Sequence, residues 1–229
     1  MRDLAVIETI LRNRYHFFIE IRDGMGLREK MRAMLVSSVI FFALYGAVLG
    51  STHSLWQALS SAVKLPILFL ATLVVCSPTL YFFNVLFGSN QSLTQNVALI
   101  LTAITVTSVL LLSFTPVVVF FLLTTGGYQF FKLLNVAICA ISGSMGVSFL
   151  SQGMRIVSAA GKEGGAARRN VVRVWILLYA FVGSQMAWTL RPFIGAPSMK
   201  FELFRQLGGN FYSNVLVSLG EMLGFFVVR

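Results

Sequence analysis

Between Lys64 and Lys132 the chain contains no Lys, Arg, Asp, Glu or His. Buried elements of soluble domains still end in water and carry charge there. A charge at bilayer depth, by contrast, costs several kcal/mol or more. One helical crossing of a hydrocarbon core ~30 Å thick takes about 20 residues at about 1.5 Å each. The stretch from Leu65 to Phe131 therefore reads as two crossings joined by a turn, and the chain as a multi-span membrane protein. Composition agrees. Of 229 residues, 57% are hydrophobic and 11% charged, against about 25% charged in ordinary soluble domains.

The net charge of +10 raises nucleic acid as a partner, but the distribution of charge argues against it. The basic residues cluster before Met34 and between Arg155 and Arg173, at the margins of apolar runs. That is the pattern of anionic headgroup contact and topology setting. Cys76 and Cys139 both fall inside expected spans, with no CxxC, and read as small apolar residues rather than as a disulfide or ligand pair. The charged segment before the first apolar run is too long and too acidic for a signal-peptide n-region, so the first span is expected to be an uncleaved anchor.

Leu4, Ile7, Leu11, Phe18 and Ile21 recur at helical spacing, with Arg2, Glu8, Arg12, Glu20 and Arg22 mostly elsewhere on the wheel. This predicts an amphipathic helix lying on the membrane surface or packed on a neighbouring subunit. Gly24 and Gly26 end it, and Arg28, Lys30 and Arg32 form a basic collar before span one, about Ala33 to Gly50. Span two is expected from Lys64 to about Phe87, with Pro66 in its first turn and a kink at Pro78. Residues 93–123 would make a helix of about 46 Å. The expectation is one crossing, either kinked throughout or broken at Pro116. Span four runs from Lys132 to about Leu150, and Gly143 and Gly146 within it carry the small-residue spacing of close helix packing. Span five is about Val174 to Leu190. The tail from Phe201 reads as interfacial, with a sixth crossing over Val215–Val228 as the alternative.

Five spans place both basic clusters on one side of the membrane, as the positive-inside rule requires. A count altered by one between them would separate the clusters. The N-terminus is then cytoplasmic, in a membrane that the sequence suggests is a bacterial inner membrane.

Acidic residues are absent between Glu29 and Glu163, so the first four spans hold no carboxylate for a proton relay or cation coupling. No paired carboxylates, HExxH or Ser/His/Asp cluster marks a catalytic centre. No metal ligand set and no cofactor is expected, and the chain does not read as an enzyme. Uncharged polarity is plentiful instead. Thr102, Thr105, Ser108 and Thr115 stud span three, and together they suggest a hydroxyl-lined pore with kinks at Pro78 and Pro116. The plainer reading is that these hydroxyls bond their own helix or a neighbour.

The tract Lys64-Leu-Pro-Ile-Leu-Phe-Leu70 with Ser77-Pro78 further on resembles the Yip1-type five-span membrane proteins. Leu190-Arg-Pro-Phe-Ile-Gly195, followed by Phe204-Arg205 and Asn210-Phe211, is similar to uncharacterised bacterial membrane proteins. The Yip1 resemblance implies a non-enzymatic role in membrane organisation and partner recruitment, with no catalytic residues.

These observations predict an all-α, polytopic bundle. Residues 1–32 would form a cytoplasmic amphipathic and basic segment, 33–190 a five-span domain, and 191–229 an interfacial segment. The expected function is a scaffold or a subunit of a membrane complex. Arg28, Lys30, Arg32, Arg168 and Arg169 would hold anionic lipid headgroups, and the partner would be another membrane protein or further copies of the chain. The alternative is a homo-oligomeric channel lined by the span-three hydroxyls.

Overall fold

A backbone surrounded by hydrocarbon has no water to bond, and a helix satisfies its own peptide groups within one segment. All regular structure among the described residues is accordingly helical. The computed structural model describes residues 2–86, 91–125, 127–157, 165–195, 201–204 and 209–223, the side chains of 2–4 and 165–172 excepted. In chain order the helices are α1 Arg2–Arg12, α2 Arg14–Arg22, α3 Leu27–Gly50 and α4 Leu55–Leu86. They continue with α5 Leu93–Thr124, α6 Tyr128–Val157, α7 Gly165–Thr189 and α8 Phe211–Met222. Four of them, α3 to α6, are long and apolar enough to cross a membrane.

Several boundaries differ from expectation. α4 begins at Leu55, so Pro66 lies about three turns inside it rather than in its first turn. The stretch 51–63, which the expected spans leave between them as a connection, is mostly helix, and its polar residues Gln57, Ser60 and Ser61 are buried inside the protein. α5 runs unbroken through Pro116 to Thr124. Its 32 residues make about 48 Å of helix, so the long-helix reading of 93–123 holds and no separate short piece follows Ser113. A capping box between Ser92 and Gln95 starts it, which satisfies two orphan backbone donors at once. Pro78 and Pro116 both sit inside continuous helices. α8 has 12 residues, about 18 Å, and is too short to cross a ~30 Å core.

α3 lies between α4 and α5, and α5 packs in turn against α6. α7 packs on α4, and α8 touches both α6 and α7. The N-terminal segment departs from expectation. It breaks at Asn13 into two helices, and α1 lies along α3 and α5 while α2 packs on α6 and α5. Its apolar face is turned inward: Ile7, Ile10, Phe17, Phe18 and Ile21 are all buried. Of the expected apolar face, Ile7, Phe18 and Ile21 are turned into the bundle, while Leu11 stays exposed and the Leu4 side chain lies outside the described residues.

Close helix approach rests on small residues. A Cβ at Gly46 would run into the Ser61 carbonyl, and one at Gly50 into the Gln57 carbonyl, which locks the α3–α4 pair. On α6, a Cβ at Gly146 would collide with the Thr107 side chain and the Ala103 carbonyl of α5. Gly146 thus packs as its spacing predicts. Gly143 does not, since an added Cβ there meets nothing within 4 Å. Large side chains fill the remaining core: Tyr45, Phe17, Phe18 and Phe42 are fully buried. The Phe42 and Phe69 rings stack at 4.1 Å between centroids.

Gly146→Ala and Gly46→Ala are expected to destabilise the protein by about 1–3 kcal/mol, because the methyl has to displace backbone. Gly143→Ala should leave the melting temperature in detergent unchanged. Equal effects at all three positions would show that the packing contacts are not where the structure puts them.

Candidate functional site

Three of the expected lining hydroxyls of α5 face helices rather than an open space. Thr102, Thr105 and Ser108 are all buried, and each donates to its own helix. Thr102 Oγ1 reaches the Ala98 carbonyl at 2.8 Å and Thr105 Oγ1 the Leu101 carbonyl at 2.8 Å. Ser108 Oγ reaches the Thr105 carbonyl at 2.8 Å. This back-bonding satisfies a hydroxyl where no water is at hand. Thr105 also contacts Ser38 Oγ of α3 at 3.1 Å, and Thr107 the Ser142 carbonyl of α6 at 3.4 Å. Thr115 stands apart, half-buried beside Pro116 and bonded to the Leu111 carbonyl. The structure thus brings three of the four expected lining residues together, sealed between α3, α5 and α6, and leaves Thr115 outside that group. A further buried bond spans α3 to α6: Tyr45 Oη donates to Asn135 Oδ1 at 2.8 Å.

The basic collar divides. Arg28 and Arg32 are exposed and available to a headgroup. Lys30 is half-buried and engaged, its ammonium bonding Glu20 at 2.8 Å and the Met25 carbonyl at 2.7 Å. It also lies 6.0 Å from the Phe17 ring. Lys30 therefore ties α2 to α3. Gln95 of α5 adds a second tie by donating to the Arg22 carbonyl at 2.7 Å. Arg168 and Arg169 fall at the start of α7, with side chains outside the described residues. Cys76 and Cys139 are free thiols. Among the described residues, no group of three or more His, Cys, Asp or Glu could hold a metal ion.

A second polar assembly lies at the opposite end of the bundle, and sequence reasoning missed it. Gln57, Ser61 and Lys64 share one face of α4 at i, i+4 and i+7, under the chain that follows α7. Gln57 Nε2 donates to the Pro192 carbonyl at 2.8 Å, and Ser61 Oγ to the Phe193 carbonyl at 2.6 Å. Lys64 is buried, with its ammonium on the Leu203 carbonyl and 4.8 Å from the Phe204 ring. His53 fills the space beside Gly195, and the Arg191 guanidinium stacks 3.4 Å from the Trp188 ring centroid. Lys64 and Arg191 meet carbonyls and rings here, so the assembly works as a clasp. Its one sequence signal is the helical spacing of Gln57, Ser61 and Lys64, which a turn reading of 51–63 hides.

α8 joins the same end through Lys132 Nζ to Asn214 Oδ1 at 2.9 Å and through Gln129 to Glu221.

Comparison with known proteins found no family model, no curated protein and no solved structure that matches the chain.

Lys64→Met should free the segment around Leu203 by removing charged hydrogen bonds worth about 1.5–3 kcal/mol each. Limited proteolysis of the reconstituted protein, read by mass spectrometry, is expected to cut residues 191–204 several-fold faster. Arg28→Met, at the other end, should leave that cleavage rate unaltered. An unchanged rate in Lys64→Met would show that Lys64 does not hold the segment.

Proposed function

We propose that the chain is a non-enzymatic integral membrane scaffold, or a subunit of a membrane complex, that acts through helix packing and contact with lipid and partner. The observation that carries this reading is the closure of the polar interior. Thr102, Thr105 and Ser108 are buried and bonded to their own helix, so a pore along α5 would have to part the helices first. The resemblance to Yip1-type proteins points the same way.

In this reading α7 makes a fifth crossing. Two ties at different depths support it: Trp175 Nε1 donates to the Cys76 carbonyl at 3.1 Å, and the chain just past α7 is bonded to Gln57. α7 thereby runs antiparallel to α4 along most of its length. Five crossings keep both basic clusters on the cytoplasmic face of a bacterial inner membrane, with Arg28, Arg32, Arg168 and Arg169 toward anionic headgroups. α8 then rests at the outer interface, where its exposed Tyr212, Leu216 and Val217 meet the headgroup layer. The partner is another membrane protein or a second copy of the chain.

The test is the mass of the complex in native nanodiscs, with copurifying proteins identified, followed by ion flux in liposomes. The expected result is a defined complex without flux. Thr105→Leu is expected to lower stability by about 1–2 kcal/mol through the lost Ser38 contact and added bulk, with no conductance to alter. A homo-oligomer whose ion flux falls in Thr105→Leu would replace the scaffold reading with the channel.

A further inference from the structure

Contacts between the helices fix their relative heights. Asn96 of α5 donates to the Ser77 carbonyl of α4 at 3.3 Å, and Trp175 of α7 to the neighbouring Cys76 carbonyl at 3.1 Å. Met34 of α3 meets Thr102, and Gly153 of α6 lies against Leu99. α3 and α5 run the same way, so Arg28, six residues before Met34, falls at the height of Asn96, six residues before Thr102. α6 runs the opposite way, so Arg155, two residues past Gly153, falls beside residue 97. Arg173 lies two residues before Trp175, beside Pro78 of α4. Three helices thus bring Arg28, Arg155 and Arg173 to one height within about a helical turn, ~5.4 Å. Arg32 stands one turn nearer the middle of the bundle.

All four side chains are exposed. The carboxylates of this end are engaged elsewhere: Glu20 contacts Lys30 and His16, and Asp23 pairs with Arg22. Among the described residues, no carboxylate pairs with Arg28, Arg32, Arg155 or Arg173. Glu29 is exposed at the same height, and one carboxylate against four guanidinium groups leaves a surplus of positive charge. α6 stands on α5 and α7 on α4, so that charge is spread around the bundle. The clasp marks a second height. Gln57 and Ser77 are 20 residues apart on α4, about 30 Å of helix, which is the thickness of a hydrocarbon core.

We propose that Arg28, Arg32, Arg155 and Arg173 form one belt that binds the phosphates of anionic glycerophospholipids in the cytoplasmic leaflet. The arginine stems cover apolar helix surface while the heads reach the headgroup layer. A guanidinium meets a phosphate with paired N–H donors, and the surplus positive charge favours lipids that bring no ammonium of their own. Arg155 and Arg173 carry the headgroup contact from the collar of α3 round to α6 and α7, and the belt holds the bundle at a fixed height in the bilayer. This assignment rests on the five-crossing reading, which puts both basic clusters on one face, and it is independent of the scaffold role.

Electron spin resonance of spin-labelled lipids, in phosphatidylcholine vesicles that contain the full chain, tests the belt. Spin-labelled phosphatidylglycerol is expected to be enriched at the protein about five-fold over spin-labelled phosphatidylcholine at low salt. The enrichment should shrink at 1 M salt, where screening sets in beyond about 3 Å. Arg155→Gln/Arg173→Gln should about halve it, and adding Arg28→Gln and Arg32→Gln should abolish it. Arg22→Gln/Asp23→Asn, which removes a pair already neutral, should leave it unchanged. All of these residues are exposed, so the variants are expected to fold, and an unchanged far-ultraviolet circular dichroism spectrum checks this. Enrichment that survives in the fourfold variant, or that does not respond to Arg155→Gln/Arg173→Gln, would overturn the belt. Labelling of Arg28→Cys and Arg173→Cys with a membrane-impermeant maleimide tells that failure from a failure of the reading beneath it. Sites reached from one face uphold five crossings, and sites reached from opposite faces overturn the five-crossing reading and the belt with it.

Discussion

Polar groups in the middle of this bundle are paired mostly with one another and with backbone carbonyls rather than with water. That pairing organises the rest of the molecule. It accounts for the hydroxyls of α5, which return to carbonyls of their own helix, and for the few side chains that reach across, such as Tyr45 to Asn135. Hydrogen bonds of this kind add about 1 kcal/mol each to association in lipid. Their larger effect is on register, since an amide or phenol left unpaired in a dry interior costs more than the bond contributes. Small residues complete the arrangement. Gly46, Gly50 and Gly146 allow backbones to approach closely enough for such bonds and for dispersion contacts to form.

The two ends of the bundle solve a different problem. On the side that holds the N-terminal helices, Lys30 is paired with Glu20 and capped by a carbonyl, while Arg28 and Arg32 stay outside. One collar thus contains both a structural cation and two cations available to headgroups. At the other end, Gln57, Ser61 and Lys64 donate to carbonyls of the irregular chain after α7. Buried carbonyls of irregular backbone need hydrogen-bond partners, and these three side chains supply them. The polarity of the first turns of α4 follows from that task.

Much of the candidate chemistry was legible along the chain, and the limits are instructive. The continuity of α5 through Pro116 was one of two readings, because a proline removes one backbone bond while flanking packing decides whether the helix survives. Gly143 and Gly146 look equivalent as small residues, yet a turn of 3.6 residues points only Gly146 at α5. The N-terminal stretch shows amphipathic spacing, but spacing does not say whether the apolar face meets lipid or protein, and here it meets protein. The clasp was least legible. Its acceptors are main-chain carbonyls, which carry no residue signature, and they come from a part of the chain remote from α4.

By itself the sequence determined the solvent. A charge-free run between Lys64 and Lys132 and a mean hydropathy of +0.82 point to helices in a membrane, because backbone groups and charges have no water there. It also determined that no carboxylate lies between Glu29 and Glu163 to drive proton or cation chemistry. Only the tertiary structure decided which polar residues face each other. Hydroxyls that could line a pore are closed against carbonyls, and Lys64 and Lys30 became ties between segments remote from one another or across a turn. Composition and spacing select the medium and the element, since these depend on local averages. Partners depend on rotation about each helix axis and on contacts between distant segments, and these exist only once the bundle is packed.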